Sequence, residues 1–263
     1  MRTLVIGDVH GALKALIQLL ERANYNPLND KLIFLGDYVD GFSQSAELIE
    51  YLIELDSKAV HKSIFLLGNH DAWCKEWLNN GQSPLMWTQQ GGQATIESYI
   101  RTGHLVKDSH REFFNKCLTY YVDEENRGFV HGGFVSKKGL GHEPYITNYY
   151  WDRDLWNIAL LQDKNYKLDK LSITDNNASG IRFLNHTEIY IGHTSTINWN
   201  NKPHYPEYDG TNGVITVPMN RCNVWNLDTG CGFSGKLTAI DIDTKEYFQS
   251  DLVKELYPNE LGR

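Results

Sequence analysis

Three short apolar runs occur within the first 70 positions, and polar residues follow each of them at once. The runs span 4–6, 32–35 and 64–67 and are rich in branched side chains, as is typical of strands buried on both faces of a parallel sheet. Between them, segments 12–23 and 45–55 carry leucine and isoleucine at helical spacing. Because crossovers of this kind are right-handed, the pattern predicts parallel strands whose following loops share one edge.

The remainder of the chain predicts a second group of strands and two less regular regions. Residues 73–118 are helical and polar in pattern, with a break at Gly91 and Gly92, and predict a helical insert. Residues 134–185 are aromatic and irregular, and residues 198–213 predict a mobile loop. The sequence predicts a hairpin at 119–122 and 128–131 and a further strand at 188–191. Period-two patterns at 223–227, 236–242 and 246–249 predict three more strands, which are expected to be antiparallel.

Five polar motifs stand where predicted strands end. Gly-Asp-Val-His-Gly occupies 7–11, Gly-Asp-Tyr-Val-Asp occupies 36–40 and Gly-Asn-His-Asp occupies 68–71. His-Gly-Gly at 131–133 and Gly-His-Thr at 192–194 follow later strands. Open α/β sheets place active sites at such carboxyl ends, and mixed oxygen and imidazole donors suit divalent Mn, Fe or Zn. The candidate metal ligands are Asp8, His10, Asp37, Asn69, His131 and His193.

This donor set predicts a two-metal phosphoesterase. Two ions about 3.5–4 Å apart activate a shared water and stabilise charge on a transferring phosphoryl group. Asp37 can bridge two ions because a carboxylate has two oxygens. His70 adjoins Asn69 and could protonate the leaving oxygen, with Asp40 holding its imidazole in orientation.

Each motif alone has a simpler explanation. Asp8 could cap the helix that begins near Gly11, and an isolated His131 or His193 would by default be structural. Five motifs in order, each after a strand, favour the metal site.

Composition narrows the class of protein. A chain of 263 residues with 41% hydrophobic content fits one domain over residues 1–263. No apolar run approaches the roughly 18 residues of a membrane span, and the first motif follows residues 1–6 directly, so we expect a cytoplasmic protein. The four cysteines lack Cys-x-x-Cys spacing and are expected to be reduced. A net charge of −8 disfavours long nucleic acid, although bound metals would still permit a small phosphate.

The five motifs resemble the phosphoprotein phosphatase branch of the calcineurin-like metallophosphoesterases, whose pattern is GDxHG, GDxVDRG, GNH(E/D), HGG and GHT. Residues 226–230 and 235–237 match the family as well. The resemblance implies an αββα sandwich of two mixed β-sheets flanked by helices. It also implies two divalent ions, with manganese the first expectation, and attack by a metal-bridging hydroxide. The implied first-ion ligands are Asp8, His10 and Asp37, and the implied second-ion ligands are Asp37, Asn69, His131 and His193.

The resemblance carries three further residues and shows one departure. It implies that His70 is the general acid, that Asp40 orients it, and that Arg153 clamps phosphate. The family's second motif continues Asp-Arg-Gly, whereas here Asp40 is followed by Gly41. The arginine that would bind a substrate oxygen is therefore missing, and either another residue supplies it or the substrate differs. Asp71 replaces the more usual Glu, and the sequence gives it no role.

Four functions compete at this level. The leading expectation is hydrolysis of phosphate monoesters by a serine/threonine protein phosphatase. The main rival is hydrolysis of a dinucleoside tetraphosphate, because symmetrical diadenosine tetraphosphate hydrolases share these motifs. Cleavage of RNA ends is disfavoured by the acidic charge. A catalytically impaired regulatory binding protein is supported only by the missing arginine. The expected partner is a phosphoprotein or a small phosphorylated nucleotide.

Overall fold

The computed structural model describes residues 1–162, 181–199 and 215–263. Strands and helices alternate in the first third, and helices then dominate as far as residue 116. The strands are β1 (Arg2–Ile6), β2 (Asp30–Phe34), β3 (Ile64–Phe65), β4 (Tyr120–Val122), β5 (Gly128–Val130), β6 (Ile189–Ile191), β7 (Met219–Arg221), β8 (Val224–Asn226), β9 (Thr238–Asp241) and β10 (Tyr247–Gln249). The helices are α1 (Leu13–Arg22), α2 (Ser45–Lys58), α3 (Asn69–Asn80), α4 (Leu85–Trp87), α5 (Gln93–Thr102), α6 (Asp108–Lys116), α7 (Asn148–Trp151), α8 (Asp154–Gln162) and α9 (Val253–Leu256).

The strands form two mixed sheets. The first has the order β10-β9-β1-β2-β3, with β1, β2 and β3 parallel and β9 antiparallel to β1. The second has the order β4-β5-β6-β8-β7, with β5, β6 and β8 parallel and antiparallel strands at both edges. The expected parallel arrangement of the first three strands is therefore observed.

Side-chain alternation along the strands builds four layers. In β1, Val5 belongs to a cluster that joins the two sheets and includes Phe129 and Tyr190, whose rings stack 5.2 Å apart. Its neighbours Leu4 and Ile6 point the other way and pack with the helices of the first sheet. Strands β5 and β6 likewise alternate between this central cluster and the helices α7 and α8. The result is a helix–sheet–sheet–helix sandwich, which confirms the expected fold class.

The predicted helical insert begins earlier than expected. Helix α3 starts at Asn69, not at Trp73, so Asn69 and His70 lie in its first turn. The break at Gly91 is observed as an irregular turn over Thr88–Gly92, where Gly91 has φ 103°.

Some predictions need correction. The segment expected to be irregular at 134–185 contains α7 and α8, while residues 163–180 lie outside the described part. The segments 236–242 and 246–249 give β9 and β10, which are antiparallel as expected. The segment 223–227 gives β8, which lies in the other sheet, parallel to β6 and antiparallel to β7. The predicted loop at 198–213 falls outside the described residues from 200 onward. Among the helices described, none has the length and apolar character needed to cross a membrane.

Candidate metal centre

Loops after the strands of both sheets deliver the candidate ligands to one place. Asp8 and His10 follow β1, Asp37 follows β2, and His131 and His193 follow β5 and β6. All five side chains are at most 1% exposed. Ligand atoms of Asp8, His10 and Asp37 lie within 4.8 Å of one another, and so do those of Asp37, His131 and His193. Asp37 is common to both groups, as expected for a residue between two ions.

The loops that carry these side chains adopt an unusual backbone. His10, Asp37, Asp40 and His193 have φ of 52°, 53°, 72° and 65°, in the left-handed region that non-glycine residues rarely adopt. The Asp37 carbonyl accepts from the amides of Val9 and His10 at 3.0 and 2.9 Å, which joins the first loop to the second. Such conformations cost about 1–3 kcal/mol each and persist only where neighbouring contacts fix them.

Asp71 is one of those contacts. Its Oδ2 accepts from the amides of Asp37 and Gly68 at 2.6 and 2.8 Å, and its Oδ1 accepts from the amide of Tyr38 at 2.9 Å. A Cβ on Gly68 would collide with Asp37 Oδ1, so the close approach of these two loops requires glycine. One carboxylate therefore fixes both loops, a role that the sequence alone did not reveal.

The atoms that face the centre are buried and lack hydrogen-bond partners among the described residues. Buried polar atoms without a hydrogen-bond partner destabilise a folded protein unless a ligand binds them. Because several such atoms point to the same place here, we interpret that place as a ligand site. The residues present thus fit a pair of cations. The orphaned atoms are Asp8 Oδ1, His10 Nε2, Asp37 Oδ2, and Nδ1 and Nε2 of His193.

Two imidazoles are oriented with a lone pair toward the centre. His10 Nδ1 lies 3.1 Å from the Val39 carbonyl oxygen, and His131 Nδ1 lies 2.9 Å from that of Leu35. Because a carbonyl can only accept, each Nδ1 carries the proton and each Nε2 presents its lone pair. His131 Nε2 lies 3.3 Å from Asp37 Oδ2.

Asn69 joins the second group through its side chain. Its Oδ1 lies 3.2 Å from His131 Nε2, so an amide oxygen and a ring nitrogen lone pair face the same point. Two acceptors at this distance repel each other unless a cation lies between them. All six predicted ligands are therefore brought together.

The electrostatics of the centre favour added positive charge. Burial, with the carboxylates of Asp228 and Asp37 nearby, raises the pKa of Asp8 well above its usual range. Burial also lowers the pKa of both His10 and His193 well below the usual histidine value, which keeps these imidazoles neutral. Crowded carboxylates among neutral imidazoles are stabilised by a divalent cation.

Asp228, in the segment 226–230 that matches the family, adds a further acid. Its Oδ1 accepts from the Gly230 amide at 3.1 Å, as expected for a turn residue. Its Oδ2 is buried without a partner among the described residues, and burial raises the pKa of this carboxyl. The turn thus places a further carboxyl group next to Asp8.

His70 and Asp40 form a buried pair beside the candidate ligands. His70 Nδ1 lies 2.6 Å from Asp40 Oδ2, which also accepts from Trp87 Nε1 at 2.6 Å. Thr95 Oγ1 donates to Asp40 Oδ1 at 2.7 Å. With Nδ1 held by the carboxylate, only Nε2 of His70 is left to face a substrate. Trp87 and Thr95 come from the helical insert, where the sequence gave no signal for such a contact.

Arg153 donates hydrogen bonds to the last motif, Gly-His-Thr at 192–194. Its Nη1 donates to the His193 carbonyl at 2.8 Å and to Thr194 Oγ1 at 3.0 Å. Arg153, His193 and Arg263 line one cavity of about 280 Å³. Arg263, which no sequence motif contains, also places Nη1 against His70 Nε2.

The suggestion that Asp8 caps the first helix is wrong. Helix α1 begins after Ala12, and no side chain among the described residues caps it. Asp8 Oδ2 instead accepts from the His193 amide at 3.0 Å, across the two sheets.

Comparison with known proteins gives relatives along nearly the whole chain. A symmetrical bis(5'-nucleosyl)-tetraphosphatase of Marinomonas sp. (strain MWYL1) is 24% identical, over 95% of this chain and 97% of the relative. One from Pseudomonas syringae pv. syringae (strain B728a) is 25% identical, over 95% and 91%.

Solved structures show the same fold at low identity. A serine/threonine protein phosphatase from Saccharomyces cerevisiae aligns over 95% of this chain and 80% of its own, with 14% identity and a TM-score of 0.55. A cold-active protein-tyrosine phosphatase of a psychrophilic Shewanella aligns over 92% and 76%, with 16% identity and a TM-score of 0.56. The sequence model of the calcineurin-like phosphoesterase family matches residues 1–211. The match covers well over half of the length of this chain. The chain therefore belongs to the calcineurin-like phosphoesterase family and is a metal-dependent phosphoric ester hydrolase.

Proposed function

We propose that this protein cleaves a dinucleoside tetraphosphate symmetrically, releasing two nucleoside diphosphates. The observation that carries the hydrolase chemistry is the two groups of buried ligand atoms that share Asp37, in which Asp8, His10, Asp37 and His193 have atoms without a hydrogen-bond partner among the described residues. The substrate class rests on the names of relatives that align over almost the entire chain. These names favour the nucleotide over the phosphoprotein that the sequence interpretation placed first.

The proposed metal ligands are the six residues predicted from the sequence. One ion would be held by Asp8, His10 and Asp37, and the other by Asp37, Asn69, His131 and His193. The mixture of carboxylate, amide and imidazole suits Mn first, with Fe or Zn as alternatives. When bound, two such ions lower the pKa of a water molecule and neutralise charge on the phosphoryl oxygens.

The protein groups around the ions would complete the reaction. As the water oxygen bonds to phosphorus, the bond from phosphorus to the leaving oxygen breaks, and that oxygen takes a proton from His70 Nε2. Asp40, held by Trp87 and Thr95, accepts the Nδ1 proton of His70, which orients the ring and stabilises its doubly protonated form, the form that can donate from Nε2. Arg153 lines the cavity and adds positive charge for phosphate oxygens.

Aromatic side chains beside the centre support a nucleotide. The ring of Trp73 lies 5.4 Å from that of His70 and 5.0 Å from that of Trp151, which is 40% exposed. Trp151 also lies 6.1 Å from His193. Exposed indole faces next to a phosphate site can stack on a base. The net charge of −8 also suits a small nucleotide better than long nucleic acid.

The test compares three substrates with manganese added. Diadenosine tetraphosphate, a phosphoserine peptide and a 5'-phosphorylated RNA are incubated with the protein, and the products are separated by chromatography. We expect the tetraphosphate to give ADP as the sole nucleotide product and to react fastest. Asp37→Asn is expected to lose activity by about 100-fold or more, because it weakens both ions.

The other outcomes point to other functions. Preference for the phosphopeptide would restore the serine/threonine phosphatase interpretation. Absence of turnover on all three substrates, with two metals bound, would instead favour a regulatory binding protein.

A further inference from the structure

The glycine that replaces the family's arginine lies directly against another arginine. Gly41 has φ 103°, and a Cβ built on it would lie 3.4 Å from the Arg263 amide nitrogen and 3.6 Å from Arg263 Cβ. The two positions are 222 residues apart in the sequence, so no local pattern links them. An L side chain at position 41 would be strained at this φ and would point at the backbone of Arg263.

Contacts of the chain segment after α9 fix the backbone of Arg263. Glu260 accepts hydrogen bonds from the amide and the hydroxyl of Ser43, both at 2.8 Å. Gly262 has φ 76°, and a Cβ there would lie only 2.6 Å from the Gly232 carbonyl oxygen. The Arg263 amide donates to that same carbonyl at 2.9 Å. These contacts hold residues 260–263 against the loop that carries Gly41 and Ser43.

The side chain of Arg263 reaches into the candidate centre. Its guanidinium lies over the ring of Phe233, 4.8 Å from the ring centroid, and its Nη1 contacts His70 Nε2. Its Nε is buried and has no hydrogen-bond partner among the described residues. Arg263 also lines the 280 Å³ cavity together with Arg153 and His193. A positively charged group therefore lies beside the candidate ligands, and its Nε–H is still available to donate a hydrogen bond.

We propose that Arg263 supplies the phosphate-binding guanidinium that is missing at position 41. This assignment rests on the proposed phosphoesterase function and specifies the residue that binds the phosphoryl group under attack. The guanidinium donates two hydrogen bonds to oxygens of that group, since its planar fork matches a phosphate. The glycine at 41 and the arginine at 263 then depend on each other. The backbone of Arg263 occupies the direction that a side chain at 41 would take, so the absence of a side chain at 41 leaves room for Arg263.

The contact with His70 agrees with this role. Asp40 holds Nδ1 of His70, so Nε2 is the nitrogen that faces the leaving group. A guanidinium in contact with Nε2 therefore lies beside the position that the leaving group would take. A phosphate oxygen is a stronger acceptor than a neutral imidazole, so the substrate draws the guanidinium away and leaves Nε2 free to take up from solvent the proton that it then donates to the leaving oxygen.

The test uses Arg263→Ala and Arg263→Lys, with Arg22→Ala as the matched control. Arg22 is an arginine in α1 whose Nη2 lies 2.7 Å from Asp251, far from the centre. Each variant is assayed for kcat and KM on diadenosine tetraphosphate, for binding of inorganic phosphate by calorimetry, and for bound metal. We expect Arg263→Ala to lose about 100- to 1,000-fold in kcat/KM, as after loss of one oxyanion donor, with both metals retained.

Three further results are expected. Phosphate binding falls at least tenfold in Arg263→Ala, added guanidinium chloride restores part of the rate, and Arg263→Lys lies between the two because it keeps charge but loses the fork. If Arg263→Ala does not fold, Arg263→Gln, which keeps the contact with Phe233, takes its place.

Kinetic constants and phosphate affinity within twofold of the wild type in Arg263→Ala would overturn the assignment while leaving the phosphoesterase function intact. If instead the wild type turns over no substrate, the proposed function fails. Phosphate binding then still decides the role of Arg263, because a tenfold loss supports it and an unchanged affinity refutes it.

Discussion

At the residue scale, the candidate centre depends on side chains that hold loops as much as on those that face the ions. Asp71 shows this most clearly. The sequence gave this position no role, yet its carboxylate accepts from three backbone amides of two loops. Those loops carry Asp37 and Asn69 toward the centre, and Asp37 adopts a left-handed conformation that needs such support.

We expect Asp71→Asn to destabilise the protein by about 2 kcal/mol, because an amide offers one acceptor oxygen and leaves at least one buried amide hydrogen unpaired. Metal affinity should fall as well, since the loop that carries Asp37 loosens. Urea denaturation and a manganese titration measure the two effects. Asp108→Asn, an exposed change at the start of α6, is the control. Equal stability and affinity in the two variants would contradict this role.

Most of the candidate ligands were predictable from the sequence because each lies within a short motif after an apolar strand. His131 and His193 would each be structural in isolation, and the ordered set of five motifs identified them as ligands. Asp228 lies in the segment 226–230 that matches the family, but the sequence did not indicate that its side chain faces the centre, and no motif contains Arg263. Burial and long-range packing bring them there, and those are properties of the folded chain.

At the scale of elements, the helical insert is a structural partner of the centre. Helix α5 presents Thr95, whose hydroxyl donates to Asp40 Oδ1 at 2.7 Å and accepts from the Asp40 amide at 2.9 Å. The insert therefore positions the residue that orients His70.

Thr95→Val keeps the shape of the side chain but removes that hydroxyl. We expect a loss of about 2 kcal/mol in stability and a roughly tenfold lower kcat with little change in KM, because His70 is less well oriented. The pH profile of kcat should also shift, which a purely structural role would not cause. Thr102→Val in the same helix removes a hydroxyl bonded to the Ser98 carbonyl and serves as the control. Identical pH profiles for Thr95→Val and the wild type would refute the positioning role.

Periodicity predicted the long helices and most of the strands, and it missed short elements such as β7 and α7. Helices α1 and α2 lie close to their expected bounds because several turns repeat the same apolar spacing. Strand β7 has three residues and helix α7 has four, too few for a period to be recognised. Pairing with β8 places β7 at the edge of the second sheet, and packing of Tyr149 against the core of that sheet places α7; no local pattern indicates either contact.

At the scale of the molecule, the candidate centre lies across the seam between the two sheets. Asp8, His10 and Asp37 follow strands of the first sheet, and His131 and His193 follow strands of the second. Bound ions would therefore join the halves of the sandwich. The family resemblance implied this architecture, whereas the residues alone predicted only two sheets with helices and not which strands are neighbours.

Metal removal should accordingly lower the stability of the entire fold. At a free manganese concentration 100 times the dissociation constant, binding adds about 2.7 kcal/mol, so EDTA should lower the melting temperature by several degrees. Differential scanning calorimetry with and without manganese measures this shift. Asp37→Asn, which lacks the shared ligand, should show a much smaller response. A wild-type melting temperature that is the same in EDTA and in manganese would contradict the metal centre.

The pairing of β1 with β9 has a consequence for how the protein is made. Leu4 of β1 lies opposite Asp241 of β9, so one of the two neighbours of β1 is synthesised more than 230 residues after it. Contacts of such long sequence separation form slowly because a large loop must close first. A nascent chain can pair β1 with β2 early, but it leaves the other edge of β1 open until β9 has been synthesised. During that interval the unpaired edge of β1 is a template for association with other chains, so we expect aggregation to compete with folding until β9 is available.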